Sequence, residues 1–311
     1  MNRTFFQNSM TIKEAAAYTE TLKALPYNPS PDSLKEIREE EPEAFPPSKI
    51  FDNVYWIGTN IVGAILVDTK EGLLLIDTGS NSKEAGIIAD GIRSLGFSPE
   101  DIRLIVISHD HFDHYGGAGY FLSQICPSAR LAMSQAGWNF LQTTPYEFAF
   151  IGPRPEKADI LLTDNQNISL GNTVLACVFT PGHSPGCLSF IFNSSYLGKE
   201  IAVGVMGGSG CWPDMPEIRQ YQNSVEYFRL YTEEAGCSAW VQIHQQKAEL
   251  KKAADACAKE SPSHPWIKEE ENFSAAYLQF FRSRAAEVLA TGFVPPYARR
   301  VDPVLGIIPD E

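Results

Sequence analysis

The sequence has no long apolar run. Stretches such as AILV at 64–67 and LLLI at 73–76 break after about four residues, far short of the roughly 20 that a bilayer-crossing helix needs, so no membrane span is expected. The opening residues, MNRTFFQNSMTIKEAAAY, hold no apolar segment of secretory-signal length and no small-residue cleavage pattern, which makes the cytoplasm the expected compartment. CxxC pairs are absent from the six cysteines (Cys126, Cys177, Cys187, Cys211, Cys237, Cys257), which excludes a zinc ribbon or a thioredoxin-like motif and leaves them as expected buried small hydrophobes. Basic residues are scarce: 25 Lys+Arg against 38 Asp+Glu give a net charge of −13, so neither nucleic acid nor an anionic membrane surface is an expected partner. No short internal repeat is present either.

What remains is a globular composition: 311 residues, 44% hydrophobic and 20% charged, enough for a substantial core in one or two domains. Ile12, Ala15, Ala16 and Leu22 keep helical spacing over 11–25, and the prolines of PYNPSPD end that helix. Residues 33–49 are acidic and Pro-rich and read as an exposed connecting arm. The expected division is helix and arm over 1–49, a catalytic body over 50–292 and a tail over 293–311.

The texture changes at Val54. VYWIG, GAILVDT and GLLLIDTG are short apolar runs separated by turn residues, the pattern of consecutive strands. SKEAGIIADGIRSLGF then aligns Ile87, Ile88, Ile92 and Leu95 on a helix ending at Gly96, and DIRLIVISH returns to strand. ARLAMS, TVLACVFT, CLSFIF, EIAVGVM and AWVQIH read as further strands. EIRQYQNSVEYFRLYTEEAG and ENFSAAYLQFFRSRAAEVLATG read as helices, the last with a stripe of Tyr277, Phe281, Ala285 and Val288 before Gly292.

Of six histidines, three fall in His109-Asp110-His111-Phe112-Asp113-His114, directly after an apolar strand. Imidazoles two residues apart at a strand end can converge on one ion, while Asp113 and His114 face a second, and Zn²⁺ suits such nitrogen and carboxylate donors. Taken alone, His183, in TPGHSPG, reads equally well as a loop residue, and His244, at the end of AWVQIH, reads more readily as an ordinary strand-end residue than as a ligand; the repeated placement of a histidine after a strand joins them to the cluster. His264, in SPSHPW, follows no strand and is expected to be a surface or packing residue.

With these residues in place the sequence resembles the metallo-β-lactamase superfamily. SHDHFDHYGG resembles its HxHxDH motif, TPGHSPG its third-histidine loop, LLLIDTG its early strand with a structural Asp, and His244 its terminal ligand. The resemblance covers roughly residues 50–292 and implies an αββα sandwich: two mixed β-sheets flanked by helices, with the metals at one edge. Several branches of that superfamily place a metal-bridging Asp at a strand end between the third and last histidines. Here the segment is IAVGVMGGSGCW, without one, and Asp214 follows Pro213 in a loop beyond it. The closest resemblance is to the class B, subclass 3 enzymes, whose pattern the run from GLLLIDTG to HYGGAG follows, although Cys211 falls where the other subclasses carry a Cys ligand.

That resemblance implies two Zn²⁺ per chain, one held by His109, His111 and His183 and the other by Asp113, His114 and His244, sharing a hydroxide that attacks a carbonyl carbon. Asp113 would orient the nucleophile and carry its proton, and Asp77 would fix the histidine loop from outside the ligand set. The expected substrate is a small-molecule amide, lactam or ester. Its pocket would be lined by Trp138, Tyr146, Phe148 and Trp212, with Phe140 and Phe150 beside them and Ser209 as a carboxylate donor displaced from its usual place. Other departures are the arm of about 50 residues, expected to contribute to a homo-oligomer, and Gln245 where a Pro usually follows the last histidine. A thioesterase or lactonase of the same fold, and a metal-binding scaffold, are the competing readings.

Overall fold

Short apolar runs punctuated by Gly and Asn fold here as the strands they predict. The computed structural model describes residues 42–143, 154–208, 210, 218–268 and 273–291. In it β1 (Ser48–Lys49), β2 (Val54–Gly58), β3 (Gly63–Asp68) and β4 (Leu73–Ile76) pair antiparallel in sequence order. Parallel strands β5 (Ile102–Val106), β6 (Arg130–Ser134) and β7 (Ile160–Leu162) complete this seven-stranded sheet. The second sheet is built from β8 (Gln166–Leu170), β9 (Thr173–Phe179), β10 (Leu188–Tyr196), β11 (Lys199–Val205) and β12 (Cys237–Val241). Its order is β12-β11-β10-β9-β8, with only the β11–β12 pair parallel.

The side-chain period of two explains the layers. In β4, Leu74 and Ile76 face the second sheet and pack with Phe190, Phe192, Val203 and Val205, whereas Leu73 and Leu75 face outward. A helix covers that outward face: α1 (Ser82–Ser94) lays Ala85, Ile88, Ala89 and Ile92 on it. Both faces of β4 are thus buried, which is why LLLI is continuously apolar rather than alternating. Beyond α1 the chain forms α2 (Phe112–Tyr115), α3 (Ala118–Tyr120) and α4 (Gln135–Thr143). On the far side, α5 (Ile218–Glu234) and α7 (Phe273–Thr291) bury Tyr221, Val225, Phe228, Tyr277 and Phe281 against Val178, Ile191 and Trp240 of the second sheet. The order of layers is helix, sheet, sheet, helix, as the resemblance implied.

Some elements differ from expectation. α6 (Lys247–Ala258), β7 and β8 were not anticipated, because the first is Lys- and Ala-rich and the strands are short or polar. In α1 the small residues Ala85 and Ala89 join the buried stripe, while Ile87 is only half-buried. Sheet contacts also begin inside the stretch expected as a connecting arm: Ala44 bridges Thr59, and Phe45 is buried beside Trp56. His264 is a packing residue, its ring 5.1 Å from that of Phe51 and 4.8 Å from that of Tyr196. The helix expected over 11–25, most of the arm through which assembly was expected, and the tail over 293–311 lie outside the described residues. Five cysteines are described and free; all are buried except the half-buried Cys257, and Cys211 lies outside the described residues. No helix among the described residues is long and apolar enough to cross a membrane.

Candidate metal centre

Strand ends bring the motif histidines together. β5 stops at Val106, Ile107 N–H donates to Ala132 of β6, and Ser108 O accepts from Leu188 N–H of β10, so the two sheets are stitched where His109 begins. α2 opens after His111 and carries Asp113 and His114 on its single turn. The β9–β10 hairpin presents His183 after Gly182, whose φ of +129° and contact with the Tyr221 backbone admit no side chain. His244 lies just past β12, where the carbonyl of its neighbour Ile243 accepts from Trp56 Nε1 at 3.1 Å. Gly63 leaves room for that indole, since a Cβ there would lie 2.1 Å from the ring.

Two groups of three donors result: His109, His111 and His183, and Asp113, His114 and His244, with the donor atoms of each group within 4.8 Å of one another. In the second group His114 Nε2 lies 3.3 Å from His244 Nε2, and Asp113 Oδ2 lies 3.3 and 3.5 Å from those two nitrogens. Tetrahedral zinc with ligand bonds near 2.0–2.1 Å has donor-to-donor edges of about 3.3 Å, so these three atoms outline one face of such a site.

The hydrogen bonds fix which nitrogens are available. His114 Nδ1 meets Asp77 Oδ2 at 2.6 Å, and His244 Nδ1 donates to Ile61 O at 2.8 Å. His183 Nδ1 donates to Gly210 O at 2.7 Å. His109 Nδ1 meets Ser108 Oγ at 3.0 Å, while that hydroxyl donates to Asp77 Oδ2 at 2.7 Å. Each proton on Nδ1 leaves Nε2 with a lone pair, and His109 Nε2 is buried without a hydrogen-bond partner. Two nitrogen lone pairs and a carboxylate facing one point need a cation between them, and the donor set fits a metal.

Without a metal, the two carboxylates beside His114 favour its charged form. Burial alone would lower the pKa of His114, but Asp113 and Asp77 outweigh it and raise it to about 10. Against the opposing effect of its own burial, Asp113 is held far below the usual carboxylate range by His114. Burial lowers His111 to about 4 and also lowers His109, His183 and His244, their histidine neighbours adding to the effect. The signs give a window. The four lowered histidines withdraw stability as pH falls below about 6.5, where the unfolded chain binds the protons, and His114 withdraws it as pH rises from about 6.5 through 10. Metal-free protein should therefore show a Tm that is maximal near neutrality and declines on both sides; calorimetry across pH 5–10 that found a Tm still rising to pH 10 would contradict this.

Asp77, at φ +65° directly after β4, is fully buried; its Oδ1 also accepts from Ser108 N–H at 2.7 Å, so it braces one histidine of each group. Two bracing groups escaped the sequence reading. Asp110 Oδ1 accepts from Ser184 Oγ and Gly186 N–H at 2.7 Å, tying the His183 loop to the motif, and burial raises its pKa to about 6. Its place between two motif histidines was the available signal. Glu84 was signalled by Asn81-Ser82-Lys83-Glu84, a helix-start spacing. Trp138 is half-buried and packs on the outer cluster of the first sheet. Ser209, Trp212, Tyr146, Phe148 and Phe150 lie outside the described residues, and Phe140 sits half-buried on α4.

Residues 57–195 match the metallo-β-lactamase superfamily. The chain carries a metallo-β-lactamase superfamily domain. Its fold is shared with a subclass B3 metallo-β-lactamase of Bradyrhizobium japonicum, at a TM-score of 0.62 and 24% identity over 80% of this chain and 94% of that one. Among curated relatives, it is 25% identical to glyoxylase B2 of Dictyostelium discoideum, over 58% of this chain and 67% of that protein. It is 26% identical to an N-acyl homoserine lactonase of Bacillus thuringiensis, over 51% of this chain and 66% of the lactonase. The chain thus spans about two thirds of the length of these curated relatives. β11 runs into Met206, Gly207 and Gly208, where a Cβ on Gly208 would come within 2.5 Å of His183, so the strand end meets that imidazole with bare backbone.

Proposed function

We propose that this protein is a dinuclear zinc hydrolase of small molecules, cleaving a lactam or other amide bond, with an ester or lactone as the next candidate bond. The observation that carries the reading is the pair of three-donor groups, one with edges of 3.3, 3.3 and 3.5 Å. His109, His111 and His183 would hold one ion and Asp113, His114 and His244 the other. Bound zinc supplies Lewis acidity and lowers the pKa of water towards about 7, giving a nucleophile at neutral pH. Asp113 is the only carboxylate in the two groups, and so the residue suited to orient that nucleophile and pass its proton to the leaving group. Asp77 keeps the Nδ1 proton of His114 in place, so that Nε2 stays turned to the centre.

The fold shared with a subclass B3 enzyme supports a lactam substrate, while the lactonase relative supports a lactone. Zinc-loaded protein should turn over at least one of a chromogenic cephalosporin, an N-acyl homoserine lactone and an acyl-thioester, lose that activity on chelation and regain it with Zn²⁺. Lactone or thioester turnover above that of the cephalosporin selects the second reading, and inertness towards all three would sink the hydrolase.

A further inference from the structure

We propose that Glu84 is a positioning residue for the Asp113, His114 and His244 group, acting on both imidazoles from outside the site. The inference rests on the metal-centre reading above. Glu84 stands in the first turn of α1 and is 1% exposed. Its oxygens serve two different loops: Oε2 accepts from Ser80 N–H at 2.7 Å, and Oε1 accepts from Thr59 Oγ1 at 2.8 Å. The loop from Asp77 to Ser80 holds His114, through the Asp77 carboxylate and through Thr78, whose N–H and hydroxyl donate to His114 O at 2.8 and 2.9 Å. The loop from Thr59 to Val62 holds His244 through Ile61 O, and Thr59 Oγ1 accepts from Ile61 N–H at 3.1 Å. A single buried carboxylate therefore joins the supports of two imidazoles whose Nε2 atoms lie 3.3 Å apart.

Helix capping does not account for this arrangement. Asn81 already caps α1 by accepting from Lys83 N–H and Glu84 N–H. The contact with Thr59 reaches 25 residues back along the chain and adds nothing to the helix end. Burying a carboxylate is costly unless its oxygens are satisfied, and here both are spent on loops that carry ligand supports. Gly79, at φ +81°, is shaped around the same side chain, since a Cβ there would lie 2.9 Å from Glu84 Cβ.

The test is stepwise Zn²⁺ binding to the full chain, measured by competition with a chromophoric chelator beside the Tm of the metal-free protein. Thr59→Val removes the hydroxyl that joins Glu84 to the His244 loop while keeping the branched shape, and Glu84→Gln keeps the shape of the buried group should the first variant fold poorly. Each should weaken one of the two zinc constants by about 10-fold, the scale for loss of a group that orients a ligand, and leave the other unchanged. His244→Ala should abolish that same constant, and Thr59→Ser should restore it. Two unchanged constants beside a lowered Tm would reduce Glu84 to a structural cap, and equal weakening of both would make it a general brace; either overturns the proposal. Wild-type protein that takes up fewer than two ions would overturn the metal-centre reading itself, and the proposal with it.

Discussion

Replacing Asp77 by alanine is expected to cost about 3–5 kcal/mol of folding stability, the scale for removing one member of a buried, hydrogen-bonded charged set. Three buried donors lose their acceptor at once: Ser108 N–H, Ser108 Oγ–H and the Nδ1 position of His114. Against a total stability of about 5–15 kcal/mol, denaturant unfolding would register this as a large shift in midpoint. Asp77→Asn separates stability from chemistry. An asparagine can still accept from Ser108, but its amide nitrogen would present a donor to His114 Nδ1 and so drive the ring proton to Nε2, the atom that faces Asp113 and His244. The asparagine variant should therefore stay largely folded while binding zinc about 10–100-fold more weakly at the second group. Wild-type zinc affinity in Asp77→Asn would show that the carboxylate only supports the fold.

Much of this arrangement was legible in the sequence, and the reason is chemical rarity. Three histidines in six positions after an apolar strand have few structural explanations, and a histidine after each of two later strands extended the set. LLLI was legible as a strand because two covered faces demand continuous apolar character. What failed depends on contacts distant in sequence. Nothing in KAELKKAADACA announces that Leu250, Ala253 and Ala256 will find a core, because alanine carries too little apolar surface to mark a stripe. Ala44 and Phe45 sit in a Pro- and Glu-rich stretch whose composition outweighed the pairing with Thr59 and the contact with Trp56. Glu84 and Asp110 carry local signals, a helix-start spacing and a place within the motif, but only the fold carries Glu84 to Thr59 and Asp110 to the His183 loop.

Asp113→Ala should lower hydrolysis by at least about 100-fold, the upper end of what losing even an outer partner of a metal ligand costs. The side chain is the only carboxylate within the two donor groups, so its loss removes the negative charge from a face otherwise made of two nitrogens 3.3 Å apart. His109, His111 and His183 are untouched, and the variant should still take up one ion per chain instead of two. A second readout follows from the charge on His114 in the metal-free centre. Of the two carboxylates that raise His114 to about 10 against its burial, Asp113 contributes more and Asp77 less. Without Asp113 the pKa of His114 in the folded state moves back towards its unfolded value, so metal-free Asp113→Ala should lose less Tm between pH 6.5 and 10 than the parent. A variant with one ion, little turnover and a flattened alkaline limb would tie all three effects to this carboxylate. Undiminished turnover would instead remove Asp113 from the chemistry and favour a scaffold that merely stores metal.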